Sequence, residues 1–301
     1  MFFKKKRCKI GFYRKGNRCF ERESNIKSGS ICTLDGKTYC GDDKALRLII
    51  ARAGGKTKLL PKIIPKIPKH SRYIEPFVGG GSVFFHKPLA QENVINDKDR
   101  DVIVVYKAFK NKAGFMKCDM KGSENKYDRI KNKKKKNACD VAYLNKWSFA
   151  SNTNGKGYVL AKNKKKKLKQ YGKRFRPNDK DFGIKYQKAH ENDYEQKLKN
   201  TKLLGQDFTK VIKKYATKSS DFVYADPPYV GSDKLYKERG VTPKDVCDVA
   251  KKSKAKWMIS YNDHPEVRKS CNKMKMSKVN TKHRLSSNSE KKSKELLITN
   301  F

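Results

Sequence analysis

Phe222-Val223-Tyr224-Ala225-Asp226-Pro227-Pro228-Tyr229 is a short apolar run that stops on an acid, two prolines and an aromatic ring. The run reads as a buried parallel strand. In open α/β sheets, ligands bind at the carboxyl ends of such strands. A proline has no N–H to donate, so the Asp226 carboxylate and the Pro227 carbonyl present acceptors outward. Tyr229 adds a flat stacking face beside them. Acceptors next to a ring suit a flipped-out nucleobase that carries an exocyclic amine. Taken alone, the stretch also fits a plain turn after a strand.

Upstream stands Tyr73-Ile74-Glu75-Pro76-Phe77-Val78-Gly79-Gly80-Gly81-Ser82, followed by Val83-Phe84-Phe85. This is an apolar strand, a glycine turn and the start of a helix. Glycines there accept positive φ and let a ligand approach the backbone. The spacing matches neither the GxGxxG dinucleotide pattern nor a P-loop. Asn93-Val94-Ile95-Asn96-Asp97 follows as a second strand ending in an acid, and an acid in that place can hold the two hydroxyls of a ribose. Gly54-Gly55-Lys56 precedes both.

In this order the pieces resemble the Dam family of DNA adenine-N6 methyltransferases. The matching segments are Ala53–Lys56, Tyr73–Ser82, Asn96-Asp97, Ala142–Asn145, Gly205–Phe208, Asp221–Tyr229 and the closing Glu295–Asn300. The resemblance spans residues 44–301. It implies a Rossmann-like, doubly wound α/β methyltransferase sheet, with S-adenosylmethionine as methyl donor and adenine in double-stranded DNA as acceptor. It also implies roles. Gly79 and Gly81 let the methionine part of the cofactor lie on the backbone, and Phe77 of the same loop joins the cofactor set. Glu75 binds the cofactor's ammonium or caps the next helix. Lys56 contacts the cofactor region. Asp97 holds the ribose or caps a helix. Asp207 accepts from the cofactor's adenine amine, with Phe208 packed nearby, or it too is a helix cap.

Catalysis then centres on Asp226, Pro227 and Tyr229. The lone pair of an adenine amine is delocalised into the ring. Hydrogen bonds from N6–H to Asp226 and to the Pro227 carbonyl localise it toward the methyl group. Near-attack geometry and stabilisation of the charge on nitrogen supply the acceleration. No metal is required.

The chain departs from the family in the middle, where the usual recognition segment is replaced by a lysine-rich stretch; residues 111–199 are polar, lysine-rich and of low periodicity. They read as a target-recognition insertion. Asn145, Lys146, Ser148, Asn152, Asn154 and Lys156 surround Trp147 and Phe149 there and are the candidate DNA-binding residues. Asn can read adenine and Lys can read guanine. The organisation expected is an N-terminal extension (1–43), a cofactor-binding part (44–110), the insertion, and a second catalytic part (200–301). Predicted helices cover Leu59 to Ile67, interrupted by prolines, and about Lys98 to Lys110, with Val102, Val105, Tyr106 and Phe109 on one face.

Composition agrees with a nucleic-acid partner. Lys and Arg number 74 against 30 Asp and Glu, a net charge of +44. Such a charge favours a polyanion through counterion release, although a lysine-biased proteome would produce similar runs. No apolar stretch approaches the roughly 18 residues of a membrane-crossing helix, so an intracellular, DNA-associated protein without a membrane partner is expected. Of eight cysteines, Cys8, Cys19, Cys32 and Cys40 lie in the extension. They bracket two predicted hairpins and are open to three readings: reduced thiols, hairpin disulfides or a metal site. Two other functions compete with adenine methylation. One is methylation of cytosine N4, whose amine fits the same acceptors. The other is a non-catalytic DNA-binding or packaging protein on a methyltransferase scaffold.

Overall fold

A computed structural model of the chain describes residues 12–15, 18–21, 32–34, 37–40, 46, 48–50, 52, 54–113, 118–148, 190–231, 240–286 and 289–301. Two antiparallel hairpins come first, β1 (Phe12–Lys15) with β2 (Arg18–Glu21), and β3 (Cys32–Leu34) with β4 (Lys37–Cys40). The predicted pair of hairpins is therefore present, and Cys32 stands opposite Cys40 in the second.

The body begins with the short helix α1 (Leu60–Ile63), flanked by single 3-10 turns where Pro61 and Pro65 interrupt the helical ladder. Then come β5 (Arg72–Glu75), α2 (Ser82–His86), β6 (Glu92–Asn96) and α3 (Arg100–Lys110). Next are α4 (Glu124–Lys131), α5 (Ala138–Trp147) and α6 (Glu191–Lys199). The chain continues through β7 (Thr201–Leu204), α7 (Phe208–Tyr215), β8 (Asp221–Ala225), α8 (Pro243–Lys252), β9 (Lys256–Asn262) and α9 (Pro265–Ser270). It closes with the long strands β10 (Lys275–Ser286) and β11 (Ser289–Thr299).

Seven strands form one sheet in the order β10-β11-β9-β8-β5-β6-β7. The five from β9 to β7 are parallel, and β11 and β10 add antiparallel at one edge. This is the Rossmann-like α/β sheet expected. Chain order runs outward from β5 to β7 and then returns to β8 on the other side of β5. The switch point thus falls between the carboxyl ends of β5 and β8, where a crevice opens in such sheets.

Side-chain alternation divides the core into two layers. Tyr73, Phe222, Tyr224 and Met258 face one side with Phe84, Phe85, Tyr106 and Phe109. Ile74, Val223, Ala225, Trp257 and Ile259 face the other with Val211, Val246 and Cys247. Both faces of the parallel strands are covered, so those strands read as unbroken apolar runs. Helix α3 starts on Asp99, whose side chain accepts from the Asp101 amide. Helices α5 and α8 start on capping boxes, Asn137 with Asp140 and Thr242 with Asp245.

The insertion differs from expectation. Its described part is helical: α4 and α5 share a small core of Tyr127, Ile130, Tyr143, Leu144 and Trp147. Cys118 pairs with Cys139 across it, and Cys247 pairs with Cys271 between α8 and α9. Tyr194 and Leu198 of α6 belong to the main core instead, with Tyr194 against Phe85 and Phe109. The apolar contacts in α4 are spaced by only three residues amid lysines, which hid the period. Among the described residues no helix is long and apolar enough to cross a membrane.

Candidate active site

Two groups of residues meet at the switch point. The first is the glycine loop after β5. Gly79 and Gly81 have φ of +47° and +75°, in the left-handed region. A Cβ on Gly81 would lie 2.8 Å from the Phe85 ring and 2.9 Å from the Tyr106 hydroxyl, whereas nothing lies within 4 Å of one on Gly79. Gly81 is therefore glycine for packing, and Gly79 faces open space. The Gly79 amide donates to Asp97 Oδ2 at 2.8 Å and its carbonyl accepts from Tyr106 at 2.7 Å. Asp97 Oδ1 also accepts from the Asp99 amide. Asp97 is thus a brace of the loop, and the helix cap is its neighbour Asp99. Burial lifts the Asp97 carboxyl to about 6, against the pull of Arg52, which is itself ion-paired with Asp99.

Glu75 sits beneath this loop, 2 % exposed. Its Oε2 accepts from Tyr73 at 2.7 Å, and it takes a backbone hydrogen bond from Phe84 in α2. Burial raises its carboxyl to about 8, with Tyr73 pulling the other way. Of the two roles expected for Glu75, the hydrogen bond from Phe84 at the start of α2 suits support of the strand-to-helix turn. Lys87, fully buried, lies 4.0 Å over the Tyr73 ring on the same side.

At the outer end of this half, Phe77 and Phe208 pair at 5.2 Å between ring centroids. Asp207 caps α7 through Oδ1, which accepts from the Thr209 amide and hydroxyl; those bonds hold its carboxyl below the usual range. Asn96 stitches the loops together, donating to the carbonyls of Pro76 and Gln206 and accepting from the Gln206 amide. Beside them Lys98, Arg100, Gly205, Gln206, Asp207 and Lys210 line a cleft of about 620 Å³.

The second group gathers at the end of β8. Asp226 Oδ1 accepts from Lys56 Nζ at 2.8 Å and from Ser260 Oγ at 2.8 Å. Ser260 is in turn 3.0 Å from the Tyr224 hydroxyl. Burial pushes the Asp226 carboxyl up, and Lys56 and Ser260 oppose that rise. Tyr229 donates its hydroxyl to Glu295 Oε2 at 2.6 Å, and Lys56 Nζ lies 4.6 Å over its ring. Burial beside these acids moves the Tyr229 hydroxyl far above its ordinary range. Pro227, next in the chain, is buried. Lys56, expected near the cofactor, is 4 % exposed and ion-paired with the acid after β8. Its Nζ also donates to the Gly54 carbonyl at 2.6 Å, and its amide donates to Ser82 Oγ at 3.1 Å, which ties it to the glycine loop.

Sequence reading missed Ser260, Tyr224, Glu295 and Ser82. Ser260 and Glu295 lie in strands and look like ordinary strand residues. Only the adjacency of β8 with β9 and of β9 with β11 brings them to the site. In the insertion, Ser148 is fully buried and 2.8 Å from the Tyr127 hydroxyl. Lys146 is 7 % exposed and donates to the Met120 carbonyl. Both are packed within the small core of α4 and α5. Asn145 is half-buried. Asn152, Asn154 and Lys156 lie outside the described residues.

The family model described as D12 class N6 adenine-specific DNA methyltransferase matches residues 53–285. The type II methyltransferase M.MjaIII of Methanocaldococcus jannaschii is 29% identical over 65% of this chain and 73% of its own length. M1.LlaDCHI of Lactococcus lactis, another type II methyltransferase, is 28% identical over 85% of this chain and 96% of its own. M.CviBI of Paramecium bursaria Chlorella virus NC1A is 30% identical over 61% of this chain and 69% of its own.

Proposed function

The chain belongs to the D12 class of N6 adenine-specific DNA methyltransferases, and we propose that the end of β8 holds a flipped adenine of double-stranded DNA while the loop after β5 holds S-adenosylmethionine. The observation that carries this reading is the position of Asp226 at the switch point, with Tyr229 beside it and the glycine loop tied to it through Lys56.

The residues present suit the cofactor. Gly79 offers backbone at positive φ with open space in front of it. Asp97 brings a carboxylate for the ribose hydroxyls. Phe77 and Phe208 supply an apolar face for a purine, and Asp207 keeps Oδ2 for its amine. When bound, S-adenosylmethionine supplies an electrophilic methyl group on sulfur.

The protein's part is to prepare the nucleophile. Asp226 Oδ1 is already held by Lys56 and Ser260, which leaves Oδ2 for the adenine N6–H. The Pro227 carbonyl takes the second hydrogen. Drawing both hydrogens to acceptors frees the nitrogen lone pair, and ionised Asp226 stabilises the positive charge that forms on nitrogen. Lys56 keeps that carboxylate ionised against its burial. Tyr229, anchored by Glu295, stacks on the base. Such stacking is worth roughly 1–3 kcal/mol per base and offsets part of the unstacking cost. The type II designation of the relatives supports methylation at defined sites.

The test is transfer of labelled methyl from S-adenosylmethionine to unmethylated duplex DNA, with products resolved as N6-methyladenine or N4-methylcytosine. We expect N6-methyladenine from the wild-type chain. Asp226→Ala is expected to abolish transfer while retaining most of the duplex affinity. Near-normal turnover by Asp226→Ala would overturn the catalytic assignment.

A further inference from the structure

Strand β11 pairs with β9 only from Glu295 to Thr299, with Glu295 opposite Asn262, the last residue of β9. Because β9 runs parallel to β8, Glu295 stands at the catalytic edge, and its carboxylate receives the Tyr229 hydroxyl. Strands β10 and β11 do not stop there. Their pairing continues past that edge, from Asn280 opposite Lys294 to Ser286 opposite Ser289. At about 3.4 Å per residue this is a two-stranded ribbon extending roughly 20 Å beyond the sheet.

The composition of the ribbon is one-sided. It holds Lys282, His283, Arg284, Lys291, Lys292 and Lys294 against a single acid, Glu290. The register sets Lys282 opposite Lys292, a like-charged pair, and Arg284 opposite Glu290, an oppositely charged one. Like charges directly opposite each other destabilise a pair of strands, and a lone two-stranded hairpin is marginal to begin with. A polyanion between or along the strands removes that penalty. The major groove of B-DNA, about 12 Å wide, admits a two-stranded ribbon.

We propose that the ribbon of residues 280–294 is a second DNA-binding element, separate from the insertion. It enters the major groove beside the target adenine, where phosphates neutralise its excess of lysine and arginine. The proposal rests on duplex DNA being the substrate. Its root at Glu295 fixes the ribbon to the ring that stacks on the base, so flanking duplex must pass along it.

The test combines Lys282→Gln, Arg284→Gln, Lys291→Gln and Lys292→Gln in the full chain and measures duplex affinity between about 50 and 200 mM salt. Each phosphate contact contributes about 0.9 to the slope of log affinity against log salt, so the slope is expected to fall by roughly 3 to 4. The KM for duplex rises, while affinity for S-adenosylmethionine and the melting temperature stay at wild-type values. A second variant replaces residues 281–293 with Asn-Gly, a two-residue hairpin turn, and should lose at least as much slope. A control neutralises Lys213, Lys218, Lys252 and Lys254, all exposed and near the opposite ends of β8 and β9; its slope should move by less than about one. An unchanged slope in either ribbon variant, or an equal fall in the control, overturns the proposal. If the wild-type chain methylates no duplex, the parent reading fails, and the salt slopes still decide the ribbon separately.

Discussion

Replacing Lys56 by Met removes an ammonium and leaves a stem of similar bulk in a site only 4 % exposed. Lys56 Nζ lies 2.8 Å from Asp226 Oδ1. At an effective dielectric near 20, two unit charges at that distance attract by about 6 kcal/mol, and desolvation of both ions returns much of it. What survives shows in the acid's titration: an opposite charge in contact lowers a carboxyl by roughly one to three pH units. The sign follows from the causes acting on Asp226, since burial raises it and Lys56 is the main opposing influence. Without Lys56 the carboxyl ionises at higher pH. If ionised Asp226 accepts the adenine N6–H, the acid limb of kcat/KM must move up by about one to three units. On that limb the variant loses roughly tenfold to a thousandfold activity, and well above it the loss is small. The assay is methyl transfer at limiting duplex from pH 5 to 9, with thermal melting as the fold control. Lys56→Arg, which keeps the charge, should return the limb most of the way. A limb that stays in place in a folded Lys56→Met enzyme refutes the idea that Lys56 sets the charge of Asp226.

The two left-handed glycines should separate fold from ligand. Gly81→Ala meets the Phe85 ring and the Tyr106 hydroxyl at under 3 Å and should cost about 2–5 kcal/mol by strain and overpacking, read by denaturant unfolding. Gly79→Ala meets nothing within 4 Å, so it should cost only about 1–2 kcal/mol in stability yet weaken S-adenosylmethionine binding in a calorimetric titration; equal stability losses in the two variants would contradict that division. For Glu75→Gln the prediction is a pH-dependent gain. A carboxyl raised to about 8 when folded, against about 4.3 unfolded, imposes a penalty that grows as pH rises from the unfolded value through about 8. The variant should melt near wild type at pH 4 and above it at pH 9, with a free-energy difference on the order of 5 kcal/mol; parallel melting curves across that range would show that folding does not raise the Glu75 carboxyl.

The parallel half of the sheet was legible because both faces are covered and its strands are short apolar runs ending in chemistry. Phe222–Ala225 stops on Asp226, Asn93–Asn96 stops before Asp97, and Tyr73–Glu75 leads into three glycines. The face of α3 was legible for the same reason, with Val102, Val105, Tyr106 and Phe109 all buried as their spacing required. What escaped was set by long-range adjacency. Ser260 reaches Asp226 across 34 residues and Glu295 reaches Tyr229 across 66. No local pattern marks a serine or a glutamate inside a strand as part of a site. Lys56 was singled out as part of a motif, but its partner depended on which strand end the Gly54-Gly55 turn approaches. In the insertion, lysines masked a weak helical period, and two polar residues picked as base contacts lie in a small core, where Ser148 meets the Tyr127 hydroxyl and Lys146 donates to the Met120 carbonyl that also accepts from Trp147.

Charge distribution joins the two halves of the site to the substrate. The chain carries a net charge of +44, yet Glu75, Asp97, Asp226 and Glu295 all converge on the switch point. Burial raises three of these acids, so the floor of the crevice is a low-dielectric bed of acceptors under a basic surface. Phosphates are drawn to the surface and repelled from the floor. On the proposed reading, groups that bring N–H or O–H donors are accepted there, a base amine at Asp226 and ribose hydroxyls at Asp97, and a duplex lies across the edge of the sheet while an extruded base descends to the floor. Lys56, in direct contact with Asp226, opposes the rise that burial imposes on that carboxyl.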